Sequence, residues 1–287
     1  MKKISLLLIL FLFLCIDAYS QKVAYAVFKD STLTFYYNDK KPKGAYDVEK
    51  RTVFSLTEWY DVCDQIHTVV FDQSFKKYRP KSCENWFRWC KNLISIKNIK
   101  ENLNTSEVTN MREMFWGCEN LIILDVSVFN TEKVTDMSFL FLGCEKLTSL
   151  DVSGFNTDNV TNMYGMFYAC HNLTSLKVSG FNTNKVTSMG CMFWGCESLT
   201  SLDVSGFNTE KVTDMGWMFN GCKNLKTIYV GNGWNTSSVI DANYMFKDCP
   251  NLIGEQGTKY HYSHHDASYA HIDGGESNPG YLTKKTK

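Results

Sequence analysis

The chain has 287 residues, with 30 basic and 30 acidic side chains and a formal net charge of zero. That balance leaves no concentrated basic field of the kind nucleic acid would require. Hydrophobic residues make up 44% and aromatic residues 14%, enough for an ordered core, which excludes disorder over most of the length.

Residues 1–20 read as a secretory signal. Lys2 and Lys3 form a basic start, Ile4 to Cys15 is apolar, and Ala18-Tyr19-Ser20 offers small residues for cleavage. The apolar run is too short for a spanning helix, and no later segment approaches the roughly 20 apolar residues a span needs. Lipid attachment at Cys15 is the rival reading, opposed by the bulky Leu14 before it. Cleavage after Ser20 leaves a chain of about −1 charge.

Residues 21–84 are expected to form a β-rich cap. Ala24 to Phe28 and Thr32 to Tyr37 alternate around Lys29-Asp30-Ser31, a hairpin signature, and Thr68-Val69-Val70-Phe71 reads as a further strand. Trp86-Phe87-Arg88-Trp89-Cys90-Lys91-Asn92-Leu93 then announces, in degenerate form, a phrase that recurs through the rest of the chain. Its clearest copy is Val212-Thr213-Asp214-Met215-Gly216-Trp217-Met218-Phe219-Asn220-Gly221-Cys222. The closing cysteines are Cys118, Cys144, Cys170, Cys196, Cys222 and Cys249, spaced 26 residues apart and finally 27. A fixed period of this length means stacked units, none of which buries its apolar face alone.

Within a unit, Ser149-Leu150-Asp151-Val152-Ser153 alternates like a half-exposed strand, and Gly154 with Asn156-Thr157 supplies turn chemistry. Val160, Met163, Met166, Phe167 and Cys170 then recur at helical spacing, with Thr161 a candidate N-cap. The expected fold class is α/β: a leucine-rich-repeat solenoid of about six 26-residue strand-turn-helix units over 85–254, its strands in one parallel sheet about 4.8 Å apart. Phe129, Phe155, Phe181, Phe207 and Trp234 form an aromatic column within it. The six cysteines are expected to pack as free thiols, equivalent positions being poorly placed for disulfide geometry. Cys63 with Cys83 is the candidate bridge outside the ladder, and Cys191 the thiol at an outward position. Residues 255–287 are expected to fold over the last unit as a C-terminal cap and tail.

These phrases resemble the BspA-like leucine-rich-repeat surface proteins of bacteria. The match lies in Val-Thr-x-Met-x-x-Met-Phe-x-Gly-Cys-x-x-Leu-x-x-Leu-Asp-Val-Ser-x-Phe-Asn-Thr, repeated from Asn104 to Gly254. Ala24-Tyr25-Ala26-Val27 and Tyr269-Ala270-His271-Ile272-Asp273-Gly274-Gly275 look like that family's flanks. The resemblance implies a secreted or bacterial cell-surface protein of the adhesin-like kind. No anchoring segment is recognisable after Tyr281, which leaves surface retention open.

Two surfaces compete for a ligand. The strand face carries the outward column Asp125, Asp151, Lys177, Asp203 and Tyr229, where Lys177 relieves repulsion between neighbouring aspartates. On regular helices, at about 100° per residue, Trp116, Leu142, Tyr168 and Trp194 fall in one outward column and Phe139, Trp217 and Tyr244 in another. Half exposed, the seven would form an apolar patch on the order of several hundred Å². No Gly-x-Ser-x-Gly elbow, His-Glu-x-x-His or glycine-rich phosphate loop occurs, so neither enzymatic activity nor a cofactor is expected. His261, His264, His265, His271 and Asp266 form the one cluster with metal-ligand chemistry, in a polar segment where no metal is expected. The expected partner is a protein or glycan at the cell surface. A structural array that self-associates is the alternative.

Overall fold

The computed structural model describes residues 21–52 and 56–286; the signal segment expected at 1–20, with Cys15, lies outside them. Strands β1 (Val23–Lys29) and β2 (Thr32–Asn38) pair as an antiparallel hairpin. Asp30 and Ser31 both take positive φ, 48° and 59°, as a two-residue turn matched to strand twist requires. β3 (Tyr46–Asp47) flanks β1, while β4 (Thr68–Phe71) runs parallel to β2 and β5 (Ser95–Lys97) parallel to β4. The resulting sheet has the order β3-β1-β2-β4-β5. Leu33, Phe35, Val69 and Phe71 alternate inward and are fully buried. Phe35 stacks on Trp86 at 5.4 Å, and Trp59 Nε1 donates to the Trp86 carbonyl at 2.7 Å. Since β5 follows the Trp86–Leu93 phrase, the cap sheet continues into the first unit and shares its core.

From Ser82 onward, equivalent residues are joined by single parallel bridges that run Ser82, Asn110, Asp136, Asn162, Ser188, Asp214, Asp241. The segments expected to be helices are not helical. Met111, Glu113, Phe115 and Gly117 donate their N–H groups to the carbonyls of Asp136, Ser138, Leu140 and Leu142 in the next unit. The intervening Met114, Trp116 and Cys118 close turns back to Met111, Glu113 and Phe115. An α-helix would have directed all of these groups four residues back along its own axis. Two left-handed residues per unit forbid that: Glu113 and Gly117, then Phe139 and Gly143, Gly165 and Ala169, Cys191 and Gly195, Trp217 and Gly221, and Tyr244 and Asp248. The α/β strand-turn-helix solenoid is therefore corrected. The chain is β-rich with few helices, and α1 (Ile99–Asn102) is the only α-helix among the described residues. Thr161 caps no helix; its hydroxyl donates to the Thr135 carbonyl one unit back.

The strand side is also more broken than one continuous sheet. β6 (Ser149–Asp151) pairs with β7 (Ser175–Lys177), and β8 (Ser201–Val204), β9 (Thr227–Val230) and β10 (Leu282–Lys284) form a separate ladder. Residues 121–126 form no strand. Asp125, Asp151 and Asp203 each accept from the N–H two residues on at 3.0 Å, turns that cut the extended segment short.

The core is built of columns. Phe87, Phe115, Phe141, Phe167, Phe193, Phe219 and Phe246 stack at 5.5–5.8 Å from unit to unit, longer than the column expected from Phe129, which stacks in pairs. The six ladder cysteines are fully buried, each Sγ 3.0–3.3 Å from a phenylalanine carbonyl of the preceding unit. Buried Thr131, Thr157, Thr183 and Thr209 donate to the next unit's Asn156, Asn182, Asn208 and Asn235 carbonyls, which accounts for the recurring Asn-Thr. All ten described cysteines are free thiols. The Cys63–Cys83 bridge is corrected, because Cys63 sits beside Cys90 instead.

Candidate interaction surfaces

The turn ribbon carries a row of rings. Trp116, Phe139, Leu142, Tyr168, Trp194 and Trp217 are half-buried, and Tyr244 is 42% exposed. Helical angles did not put them there. Trp116, Tyr168 and Trp194 each precede a left-handed residue, Phe139, Trp217 and Tyr244 each occupy one, and every one of these rings leans on a ring one unit away. Trp89, Trp116, Phe139 and Tyr164 make one run, with centroids 5.5, 5.6 and 5.2 Å apart. Tyr168, Trp194, Trp217, Tyr244 and His265 make a second, at 4.6, 6.2, 5.7 and 5.1 Å. Leu142, the seventh predicted residue, has no ring to add. The Tyr168–Trp194 and Trp194–Trp217 planes lie within 10° and 16° of parallel, so these rings cover one another's faces. Arg88 lies 4.1 Å over the Trp116 ring and Lys247 lies 5.3 Å over Tyr244.

Three rings in these runs were not in the predicted set. Trp89 stands where most later units have glycine, Tyr164 where they have Arg112, Ser138 or Gly190, and His265 comes from the C-terminal segment. The first two are visible as rings in columns that otherwise hold none. Nothing local marks the third.

Glu113 and Cys191, at equivalent positions of their units, are both buried. Glu113 is 2% exposed, between Arg88 at 2.5 Å and Arg112 at 2.7 Å, which neutralise its carboxylate. Cys191 is 3% exposed and lies 3.0 Å from the Tyr164 hydroxyl, so it is corrected from an outward thiol to a covered one.

The strand column is internally matched. Lys177 reaches Asp151 at 2.9 Å, Lys100 pairs with Asp125, and Lys285 reaches Asp203 at 3.1 Å while lying 4.6 Å over the Tyr229 ring. Lys177 thus serves Asp151, and the C-terminal segment serves Asp203. The Lys100 ammonium, then the Ser127 hydroxyl and N–H, hold Asp125 down to about 2. Lys177 first, then Ser153, pull Asp151 in the same direction.

The histidines do not converge. His261 bonds Ser263, His265 the Tyr262 carbonyl and His271 the Ile272 carbonyl, while His264 stacks on Tyr269 at 4.4 Å. Among the described residues no group of three or more His, Cys, Asp or Glu side chains is placed to share a metal ion.

Residues 81–199 and 174–274 match the family described as "Mycoplasma protein of unknown function, DUF285". The chain belongs to that family. Membership is consistent with the resemblance to BspA-like leucine-rich-repeat proteins carried by the repeat phrase. No curated protein matches the chain significantly. Among solved structures it is similar to a leucine-rich repeat protein from Eubacterium ventriosum ATCC 27560, with 14% identity, 82% of each chain covered and a TM-score of 0.27.

Proposed function

We propose that this protein is an exported, non-catalytic binding protein, a leucine-rich-repeat type of array acting at or beyond the bacterial cell surface. Its ligand would be a protein, bound along the aromatic face. The observation that carries this reading is the row of half-exposed rings from Trp89 to His265. Because the rings stack on one another, they present edges and not faces. Ring edges are electropositive and suit the carbonyl oxygens of a polypeptide, whereas a sugar ring packs on an open aromatic face. The strand column favours a ligand less, its charges being satisfied within the chain. Export rests on residues 1–20 of the sequence; among the described residues no helix is long and apolar enough to cross a membrane. The thiols support a non-catalytic reading, since burial raises the ladder cysteines away from the reactive thiolate.

The test is purified protein against an array of matrix proteins and glycans, beside a Trp194→Ala/Trp217→Ala variant. The expected result is capture by a protein spot that weakens at least about tenfold in the variant, the scale of losing interface aromatics. Equal capture by both would move the site to the strand face, and capture by glycans alone would overturn the choice of a protein. Self-association is favoured by one feature, the exposed Ile94, Ile122 and Ile123 on the strand side. Sedimentation at several concentrations separates the two, since only the array reading predicts concentration-dependent assembly.

A further inference from the structure

The seam between the cap and the second unit holds a cavity of about 430 Å³ outside the aromatic face. That volume lies within the roughly 300–1,000 Å³ of ligand pockets. The turn after β4 supplies Lys76 and Arg79, α1 supplies Lys100 and Glu101, and the following loop supplies Asn104 and Ser106. Val128, 37% exposed, adds an apolar side chain to the lining from the next unit.

Apart from the Glu101 carboxylate, the free charged groups in this cavity are donors. Arg79 is fixed by its Nη1, which donates to the carbonyls of Lys76 and Tyr78 at 2.8 and 2.9 Å. The rest of its fork is left uncommitted. Neither Arg79 nor Lys76 has a carboxylate within ion-pairing distance among the described residues. Asn104 spends its oxygen on the Ser106 N–H at 3.0 Å, so its amide remains to donate. Two unpaired cations with an amide donor call for an acceptor of negative charge. The lining limits which one: Glu101 would repel a polyanion, whereas a single acid group beside an aliphatic side chain meets both the cations and Val128.

We propose that this cavity is a second binding site, taking a carboxylate-bearing peptide segment of a protein partner. The acid group sits between Lys76 and Arg79, and a neighbouring aliphatic side chain packs on Val128. The site is independent of the aromatic face, so the failure of either leaves the other standing.

The test is fluorescence anisotropy on the full chain with a short labelled peptide that carries one glutamate beside leucine. Its glutamine counterpart and a sulfated oligosaccharide serve as the other probes. The acidic peptide is expected to bind at least about tenfold tighter than the glutamine form, to weaken about tenfold in Lys76→Glu, and to keep its affinity in Lys76→Arg. Lys226→Glu, on the far units, and Trp194→Ala/Trp217→Ala are expected to bind as the native chain does. The Lys76 side chain makes no hydrogen bond that folding would lose, and matching circular dichroism melts check this. Equal binding of the two peptides, indifference to Lys76→Glu, or binding of the sulfated oligosaccharide alone would each overturn the proposal.

Discussion

Each ladder thiol is held neutral by its surroundings: water is excluded, and the nearest polar atom is the carbonyl of a phenylalanine one unit back. Burial pushes Cys170 and Cys249 up to about 12 from an ordinary 9.0, and Cys118, Cys144, Cys196 and Cys222 move the same way for the same reason. The folded state therefore prefers the protonated thiol more strongly than the unfolded chain does. The stability this supplies is complete below about pH 9 and is lost as pH rises toward about 12. Urea midpoints should accordingly hold steady from about pH 6 to 8 and fall between about pH 9 and 11. Ellman's reagent at neutral pH should leave the ladder untouched until denaturant is added. A midpoint that is flat to pH 11 would mean the thiols are not buried as described. Removing one, Cys196→Ala, deletes the bond to the Phe167 carbonyl at 3.2 Å and opens a small void. The expected loss is about 1–2 kcal/mol in the same urea experiment.

The repeated element is a ribbon of turns, and its left-handed residues decide its shape. Gly165, at φ 59°, lies under the Phe139 ring; a Cβ there would come within 2.6 and 2.7 Å of ring carbons. Gly165→Ala should therefore lose about 2–4 kcal/mol, from left-handed strain and overpacking together. In a Phe139→Ala background the steric part should vanish while the backbone part remains, a cycle readable in thermal melts. Ala169 gives the opposite case. It holds φ 56° where the neighbouring units have Gly143 and Gly195, so Ala169→Gly should stabilise by roughly 0.5–1 kcal/mol. Much of this element was legible in the sequence: the period, the buried cysteine and phenylalanine positions, and the two columns from which the rings emerge. The helix was misread because Val160, Met163, Met166, Phe167 and Cys170 recur at three- and four-residue spacing. Successive turns closing three residues back produce the same spacing. The correcting signal was the glycine of Phe-x-Gly-Cys at 117, 143, 195 and 221, a residue that helices disfavour and left-handed positions select. Trp89 and Tyr164 could have been found by asking which units place a ring where the others have none. His265 could not, since its stacking on Tyr244 depends on how a distant segment folds back.

Across the whole molecule, bonds run mainly between neighbouring units, so each end needs a cover and the covers differ. The N-terminal end is closed by the five-stranded sheet. The C-terminal end is closed by a folded-back segment whose β10 joins β9 in parallel, placing fully buried Tyr281 and Leu282 against the last unit. Tyr281 meets Phe246 edge-on at 5.4 Å, ending the phenylalanine column. Asp273 ties this segment together: buried at 3% exposure, it accepts from the N–H groups of Gln256, Thr258 and Gly275 and from the Thr258 hydroxyl, all within 2.7–3.0 Å. Burial opposes its charge, but these donors outweigh burial and hold it down to about 2 from 3.8. Its contribution is thus present above about pH 4 and lost as pH falls through about 2. Asp273→Ala should take the acceptor from those part-buried N–H groups at about 1 kcal/mol each, and opening should stay local because an array couples only nearest neighbours. Hydrogen exchange is the discriminating measurement. In the variant, amides over 255–284 should exchange faster while those around Cys144 to Cys196 keep their native protection. Phe246 and Leu252, uncovered by the loosened segment, should make the variant associate on sedimentation as its concentration rises. Uniform loss of protection along the array would show instead that the cap and the units unfold as one, and that Asp273 supports the molecule as a whole.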